Sequence, residues 1–186
     1  MTVPFSNIPA NLRVPLFYAE VDNSQANSGA QTQRALIIGQ VLASGTAVVG
    51  VPVLGQGVTD AQAKGGLGSM LALMTAAYVA ADPFGEVWFL PLADAEGAVA
   101  ASGSVLIAGT PTATGVISLY IAGQLVSLAV TAAETPEEIA AALATLINGS
   151  GNLPVTAVAT VATVALTAKN KGVTGNEIDL RLNYRG

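Results

Sequence analysis

Short apolar runs between residues 34 and 93 predict the strands of an α/β layer. Residues 35–40 (ALIIGQ) form an apolar run that is typical of a strand buried on both faces. Residues 48–54 predict a second strand, and Pro52 favours an edge or an end for it. Residues 87–90 (VWFL) have high β propensity and predict a third strand. With one helix between the second and third strands, this order predicts a thin, partial α/β core layer.

The spacing of apolar residues between the second and third strands predicts that helix. Thr59 and Gln62 have the spacing of a capping box at its start. Glycines within residues 65–69 interrupt its first turns, and regular helical spacing follows from Met70 onward. Residues 82–85 (DPFG) stop the helix. The glycine-rich stretch therefore predicts a local helix break or a site of close helix packing.

Residues 103–186 repeat a hairpin pattern around a single helix. The predicted strands are residues 104–108, 116–121, 124–130, 155–159 and 164–168, with further alternation at 178–182. Thr135 and Glu138 form a capping box with a proline between them, and an Asn-Gly pair ends the helix. Small residues at 94–102 predict a linker before this part. We therefore expect a small α+β or sandwich-like domain with one helix.

Residues 1–33 have the composition of an extended arm followed by a linker. Prolines at positions 4, 9 and 15 exclude a helix, while Val14, Leu16 and Tyr18 alternate as in a strand. Residues 22–29 have turn and linker composition. Such an apolar arm does not fold alone. It docks either on its own domain or on a neighbour, for example by adding a strand to an open sheet edge.

The charge content changes this picture from an ordinary globular domain to an assembling one. Charged residues make up 10% of the chain and hydrophobic residues 52%, whereas about 25% of an average domain is charged. Such a surface favours contact with other chains, because large exposed apolar patches mark interaction sites. A neutral surface rich in Ala, Val and Gly is the alternative. The net charge of −5 is spread along the chain without a basic stripe, so nucleic-acid binding is not expected.

The chain contains neither His nor Cys, which removes the commonest general base and the commonest zinc ligands. No metal and no cofactor is therefore expected. Pro4 and Pro9 and the lack of an apolar run at the start do not fit a signal peptide. The uncharged stretches 35–59 and 139–168 are broken by glycines and by a loop-like run, so neither predicts a membrane span. We expect a soluble, cytoplasmic protein without membrane insertion.

Three groups of residues could carry chemistry, and each has a structural explanation. Lys64 precedes the glycines of residues 65–69, which is the wrong order for a phosphate-binding loop. Glu134, Glu137 and Glu138 lie at a predicted helix start, where carboxylates complement the helix dipole. A Ser-His-Asp device is impossible without His. No catalytic residue is predicted, and we do not expect an enzyme.

Six strings of residues resemble the tail sheath proteins of Mu-like contractile phages. They are FxxIPxxxRVPLxYxExDNS from residue 5, RALIIGQ from residue 34, GSML from residue 68, DPFGEVW from residue 82, AKNKG from residue 168 and GNEID from residue 175. The resemblance covers nearly the whole chain and is most specific in the first string. The last two strings resemble the end of the domain that the family inserts into its core.

The resemblance implies a structural function in the phage virion. Sheath subunits assemble in the bacterial cytoplasm as six-fold rings around the tail tube, and their contraction drives the tube through the host envelope. Their arms join neighbouring subunits by strand exchange. Other sheath subunits are thus the implied partners. The family is considerably longer than this chain, so a further part after Gly186 would complete the inner α/β domain and contact the tube and the baseplate.

Applied to this chain, the resemblance makes the arm the subunit interface. The arm residues expected to contact a neighbouring subunit are Phe5, Ile8, Pro9, Arg13, Val14, Leu16, Tyr18, Glu20 and Asn23. Two other functions stay open at this point. One is an α/β ligand-binding or enzymatic domain, which a polar pocket near Gly39 or Gly65 would favour. The other is a carbohydrate-binding β module in residues 103–186, which needs an exposed aromatic platform from Tyr120 and Tyr184.

Overall fold

A computed structural model describes residues 34–184, which contain three α-helices and three small sheets. The strands are β1 (Arg34–Gln40), β2 (Val53–Leu54), β3 (Glu86–Leu92), β4 (Ser102–Leu106), β5 (Gly115–Ile121), β6 (Gln124–Val130), β7 (Val155–Thr160), β8 (Thr163–Ala168) and β9 (Leu180–Leu182). The helices are α1 (Val58–Gly65), α2 (Met70–Ala81) and α3 (Pro136–Gly149), and a short 3-10 helix covers Val173–Glu177. The predicted mixed α+β class is confirmed.

The first sheet has the order β1-β3-β2 and, with α1 and α2, forms what we call the α/β layer. β1 runs parallel to β3, and the short β2 runs antiparallel to it. Ile37, Val87 and Phe89 are buried in one cluster with residues of both helices. Gly39 allows the start of α2 to approach this closely, since a Cβ on it would lie 2.7 Å from the Cα of Leu71. The parallel strands therefore have one face covered by helices.

The predicted helix is two helices that are separated by the predicted break. Ser69 begins α2, and its hydroxyl accepts a hydrogen bond from the backbone N–H of Ala72 at 3.1 Å. The capping box at Thr59 and Gln62 is wrong. The cap of α1 is Gly57, which lies two residues before Thr59 and has φ 99 and no side chain to cap the helix. Because Thr59 already lies inside the helix, its hydroxyl is not at the cap position.

Two predictions for the α/β layer need correction. Residues 48–54 were expected to form a strand, but only Val53–Leu54 pairs with β3. β1 was expected to be buried on both faces, but Leu36 and Ile38 are 52% and 46% exposed. The apolar run does indicate that both faces of β1 are apolar, but only one of these faces is covered within residues 34–184.

The remaining elements form what we call the strand-rich part. Its two sheets have the orders β4-β8-β7 and β6-β5-β9, and α3 packs against β6, β7 and β8. Its buried cluster includes Ile121, Leu143 and Val164, each with no exposed surface. The predicted hairpins are confirmed. Ala122 and Gly123 join β5 to β6. Their φ values of 50° and 77° are both positive, as a two-residue type I′ turn requires.

The start and the end of α3 are fixed by side chains. The predicted capping box is confirmed, since Thr135 N–H donates to Glu138 Oε2 at 2.9 Å and Glu138 N–H donates to Thr135 Oγ1 at 3.3 Å. Near the other end, Asn148 bonds the backbone of Ala157 in β7 twice. Its Nδ2 donates to the carbonyl at 2.7 Å, and its Oδ1 accepts from the N–H at 2.9 Å. α3 therefore holds the edge strand β7 through one amide side chain.

Among the described residues, no helix combines the length and the apolar character needed to cross a membrane. The predicted arm and its interface residues, which run from Phe5 to Asn23, lie outside the described residues.

Candidate assembly surface

One face of the α/β layer carries a row of uncovered apolar side chains, which we call the open face. Its members are Leu36, Ile38, Leu54, Trp88 and Leu90. The sheet register places Leu36 and Leu54 on either side of Trp88, and Ile38 beside Leu90. Leu36, Ile38 and Leu54 are 52%, 46% and 44% exposed, and Trp88 and Leu90 are half-buried.

Parallel strands are normally covered on both faces by other elements. Here α1 and α2 cover one face, and no element within residues 34–184 covers the other. Burying an exposed Leu or Ile side chain is worth about 1.5–3 kcal/mol. The open face therefore favours contact with a further apolar surface.

The only tryptophan of the chain lies between Leu36 and Leu54 on this face and belongs to a hydrogen-bonded group. Trp88 Nε1 donates to Glu86 Oε1 at 2.7 Å, and Arg34 Nε lies 3.0 Å from the same oxygen. The hydrogen bond from Trp88 is the largest cause that lowers the pKa of Glu86. Burial opposes it, and the charge and hydrogen bond of Arg34 add smaller lowering effects. A fixed tryptophan beside a depression of about 290 Å³ is the kind of feature that anchors interfaces.

The edge of the same sheet is a second surface for assembly. β1 pairs with β3 on one side, and on its other side no strand pairs with it within residues 34–184. An unpaired edge of seven residues offers backbone donors and acceptors to an added strand. Strand addition at β1 is thus sterically and chemically possible.

The lysine next to the glycine-rich stretch is engaged in structural contacts. Lys64 Nζ donates to Asp60 Oδ2 at 2.6 Å and to the carbonyl of Leu54 at 2.8 Å. It also lies 5.7 Å from the ring centre of Phe89. These contacts hold α1 against β2 and β3, so this lysine does not face a phosphate site.

Two of the three predicted helix-start glutamates, Glu134 and Glu138, make structural hydrogen bonds. Glu138 closes the capping box of α3, and hydrogen bonds from the N–H and the hydroxyl of Thr135 lower its pKa. Glu134 accepts from the N–H of Thr131 at 2.8 Å. Within residues 34–184, no three His, Cys, Asp or Glu side chains come together to hold a metal ion.

The position where an α/β fold usually holds a ligand is filled by the protein itself. That position lies beyond the carboxyl ends of the parallel strands, beside a helix N-terminus. Here Asn170 of the strand-rich part occupies it, with Oδ1 2.9 Å from the N–H of Met70. Gly39 lies under Leu71, and Gly65 lies against Ser69 and Leu71. An open groove of about 780 Å³ runs beside the helix break, but these two glycines do not form a polar pocket.

The two tyrosines of the strand-rich part come together without forming a flat platform. The rings of Tyr120 and Tyr184 are 6.0 Å apart and inclined by 76°, in an edge-to-face arrangement. The guanidinium of Arg181 lies 4.5 Å over the ring of Tyr184. Because a sugar stacks on an open aromatic face, the perpendicular pair and the stacked arginine do not favour the carbohydrate-binding interpretation.

The open face was missed in the sequence, although a signal for it was present. Residues 35–40 are apolar at odd and even positions alike, which requires cover on both faces. The two short helices between β1 and β3 pack in one buried cluster and cover one face of the sheet. The predicted interface residues of the arm, in contrast, lie outside the described residues, and their role stays a prediction.

Comparison with known proteins places the chain beside phage tail sheath proteins, since it aligns with one of them at 42% identity over 186 positions, which cover 99% of the chain. The resemblance noted in the sequence is confirmed. That relative is the Mu-like prophage FluMu tail sheath protein of Haemophilus influenzae, and the chain spans 38% of its length. No protein-family model matches the chain.

Proposed function

We propose that this chain is part of a structural subunit of a phage tail sheath and not an enzyme. The observation that carries the proposal is the 42% identity to a tail sheath protein over 99% of the chain. Two features support it. No strand pairs with the outer edge of β1 within residues 34–184, which suits strand addition from a neighbour, and the open face needs cover from sequence outside these residues.

The more specific function is contraction. We propose that whole subunits form six-fold rings around a tail tube in the virion, after assembly in the bacterial cytoplasm. Contraction of these rings then drives the tube through the host envelope. Tube and baseplate contacts belong to sequence outside the matched region, since the relative is much longer than this chain.

We also propose how the chain is divided within such a subunit. Residues 1–33 are an arm that exchanges a strand with a neighbour, residues 34–93 are part of the inner domain, residues 94–102 are a linker, and residues 103–186 are an outer domain. The open face of residues 34–93 is then the surface on which the rest of the inner domain packs. Its apolar composition supports this arrangement.

Electron microscopy of the full-length gene product tests the proposal. Negatively stained samples should contain hollow, striated tubes with six-fold end views. A variant that lacks residues 1–20 should be folded but should form no ordered tubes, because the strand contributed by the arm is lost. Discrete particles from the intact protein, across salt and protein concentrations, would contradict the sheath function. Normal tubes from the deletion variant would contradict the role of the arm alone.

A further inference from the structure

The α/β layer and the strand-rich part have separate hydrophobic cores. One core is centred on Ile37, Leu71 and Phe89, and the other on Leu143 and Ile147 of α3. The two sets of buried residues have no member in common. The orientation between the two parts is therefore not fixed by one continuous core, and other contacts must set it.

Asn170 makes hydrogen bonds to three separate segments of the α/β layer. Its Oδ1 accepts from the N–H of Met70 at 2.9 Å, at the first turn of α2. Its Nδ2 lies 3.4 Å from the carbonyl of Val41, just after β1, and 3.3 Å from Asp94 Oδ1, just after β3. One side chain of the strand-rich part thus contacts the end of each parallel strand and the start of the helix between them.

Lys169 connects the same two parts one residue earlier. Its ammonium donates to the carbonyl of Gly151 at 2.7 Å in the strand-rich part and to that of Leu67 at 3.2 Å in the helix break. Burial lowers the pKa of this lysine. Gly68, with φ 76, lets the two parts approach each other closely, since a Cβ there would overlap the carbonyl oxygen of Leu153 and lie 2.6 Å from Nζ of Lys169.

Two glutamines of the α/β layer complete the junction. Gln40 Nε2 donates to Asp94 Oδ1 and to the carbonyl of Lys171, each at 2.9 Å. Gln62 Nε2 donates to Asn152 Oδ1 at 3.0 Å. Apart from the lysine, the donors in these contacts are uncharged, and amide and carbonyl groups can exchange such bonds for bonds to water.

We propose that residues 169–171 form a latch that holds the α/β layer and the strand-rich part in one orientation, with Asn170 as its principal residue. Opening the latch leaves both hydrophobic cores intact, because Asn170 and Lys169 belong to neither of them. The two parts then reorient as folded bodies about the one covalent connection between them, at residues 93–101. This inference does not depend on the sheath function, because it concerns contacts within one chain.

Distance measurements between two spin labels test the latch. The chain has no cysteine, so Ala77→Cys in α2 and Ser127→Cys in β6, both exposed, introduce a unique label pair. In the otherwise unchanged chain, electron-electron double resonance should give one narrow distance distribution. Asn170→Ala should broaden and shift this distribution, and adding Lys169→Met should broaden it further. Far-UV circular dichroism should be unchanged in both variants.

Asn176→Ala is the matched control, since it makes the same chemical change at an exposed position six residues further on. It should leave the distribution narrow. Asn170→Asp keeps the size of the side chain and the oxygen that faces Met70 but places a second carboxylate beside Asp94. It should also broaden the distribution, and it decides the question if Asn170→Ala does not fold. Unchanged distributions in the Asn170 variants, or loss of the folded circular-dichroism signal in both, would overturn the latch.

Discussion

The α/β layer and the strand-rich part use similar apolar content in different ways. In the strand-rich part, apolar side chains from two sheets and α3 face inward together, so that Ile121, Leu143 and Ile147 have no exposed surface. In the α/β layer, the buried positions of β1 and β3 alternate with an open face that is as apolar as the buried one. The strand-rich part therefore contains its own core, whereas the α/β layer leaves one apolar face uncovered within residues 34–184.

The largest expected effect is a difference in stability loss between a substitution in the core of the strand-rich part and one on the open face. Leu143→Ala removes a fully buried side chain between α3 and the sheets and should lower the free energy of unfolding by about 2–5 kcal/mol. Leu36→Ala, on the open face, should change it by less than about 0.5 kcal/mol in the isolated chain. Denaturant titration followed by circular dichroism measures both. Equal losses would show that the open face is already covered in the isolated chain.

An intermediate effect concerns association rather than folding. Leu36→Ser combined with Ile38→Ser should weaken self-association of the chain at least about tenfold, because two apolar side chains no longer leave water. Val158→Ser, at an exposed apolar position of β7, is the control and should leave association unchanged. Sedimentation velocity over a concentration series distinguishes the two. An equal effect of both variants would assign association to general surface apolarity.

The smallest expected effect is a dependence on pH at the start of α3. Hydrogen bonds from Thr135 lower the pKa of Glu138 in the folded chain. A carboxyl with a lowered folded pKa adds stability above its ordinary pKa, and this stability is lost as the pH falls through the folded value, because the unfolded chain binds the proton more readily. Glu138→Gln should therefore lower stability at neutral pH and make less difference in acid.

Urea unfolding of the Glu138→Gln variant and the parent chain between neutral and acidic pH measures this dependence. Glu137→Gln, one residue earlier in the same first turn, controls for the general loss of a negative charge at the helix start. A Glu138→Gln difference that stays constant with pH would contradict the role of the ionised carboxylate. In contrast to the open face, this effect is confined to the strand-rich part.

Local signals predicted local structure well. The capping box of α3, the turn at Ala122 and Gly123 and the break before Ser69 each depend on residues close together in the sequence, and each is confirmed. The capping box at Thr59 failed although its spacing was right, because the cap is Gly57, two residues earlier. Spacing alone does not determine which of two nearby positions becomes the cap.

The sequence patterns did not predict contacts between residues that are far apart in the chain. Asn170 and Met70 are 100 positions apart, and nothing in AKNKG distinguishes an asparagine in a solvated loop from one that contacts a helix start. The sequence did not predict the open face for a related reason. Apolar periodicity shows that a face requires cover, but it does not show whether the cover is present in the same part of the chain.

The hydrogen bonds between Asn148 and Ala157 affect whether the edge of β7 can pair with a strand of another molecule. A subunit that polymerises meets many copies of itself at high local concentration, and every unpaired strand edge is then a place for a wrong partner to join. The amide of Asn148 imitates a neighbouring strand at the middle of β7, because it offers one acceptor and one donor to the backbone of Ala157. It thereby makes this position of the β7 edge unavailable to an added strand.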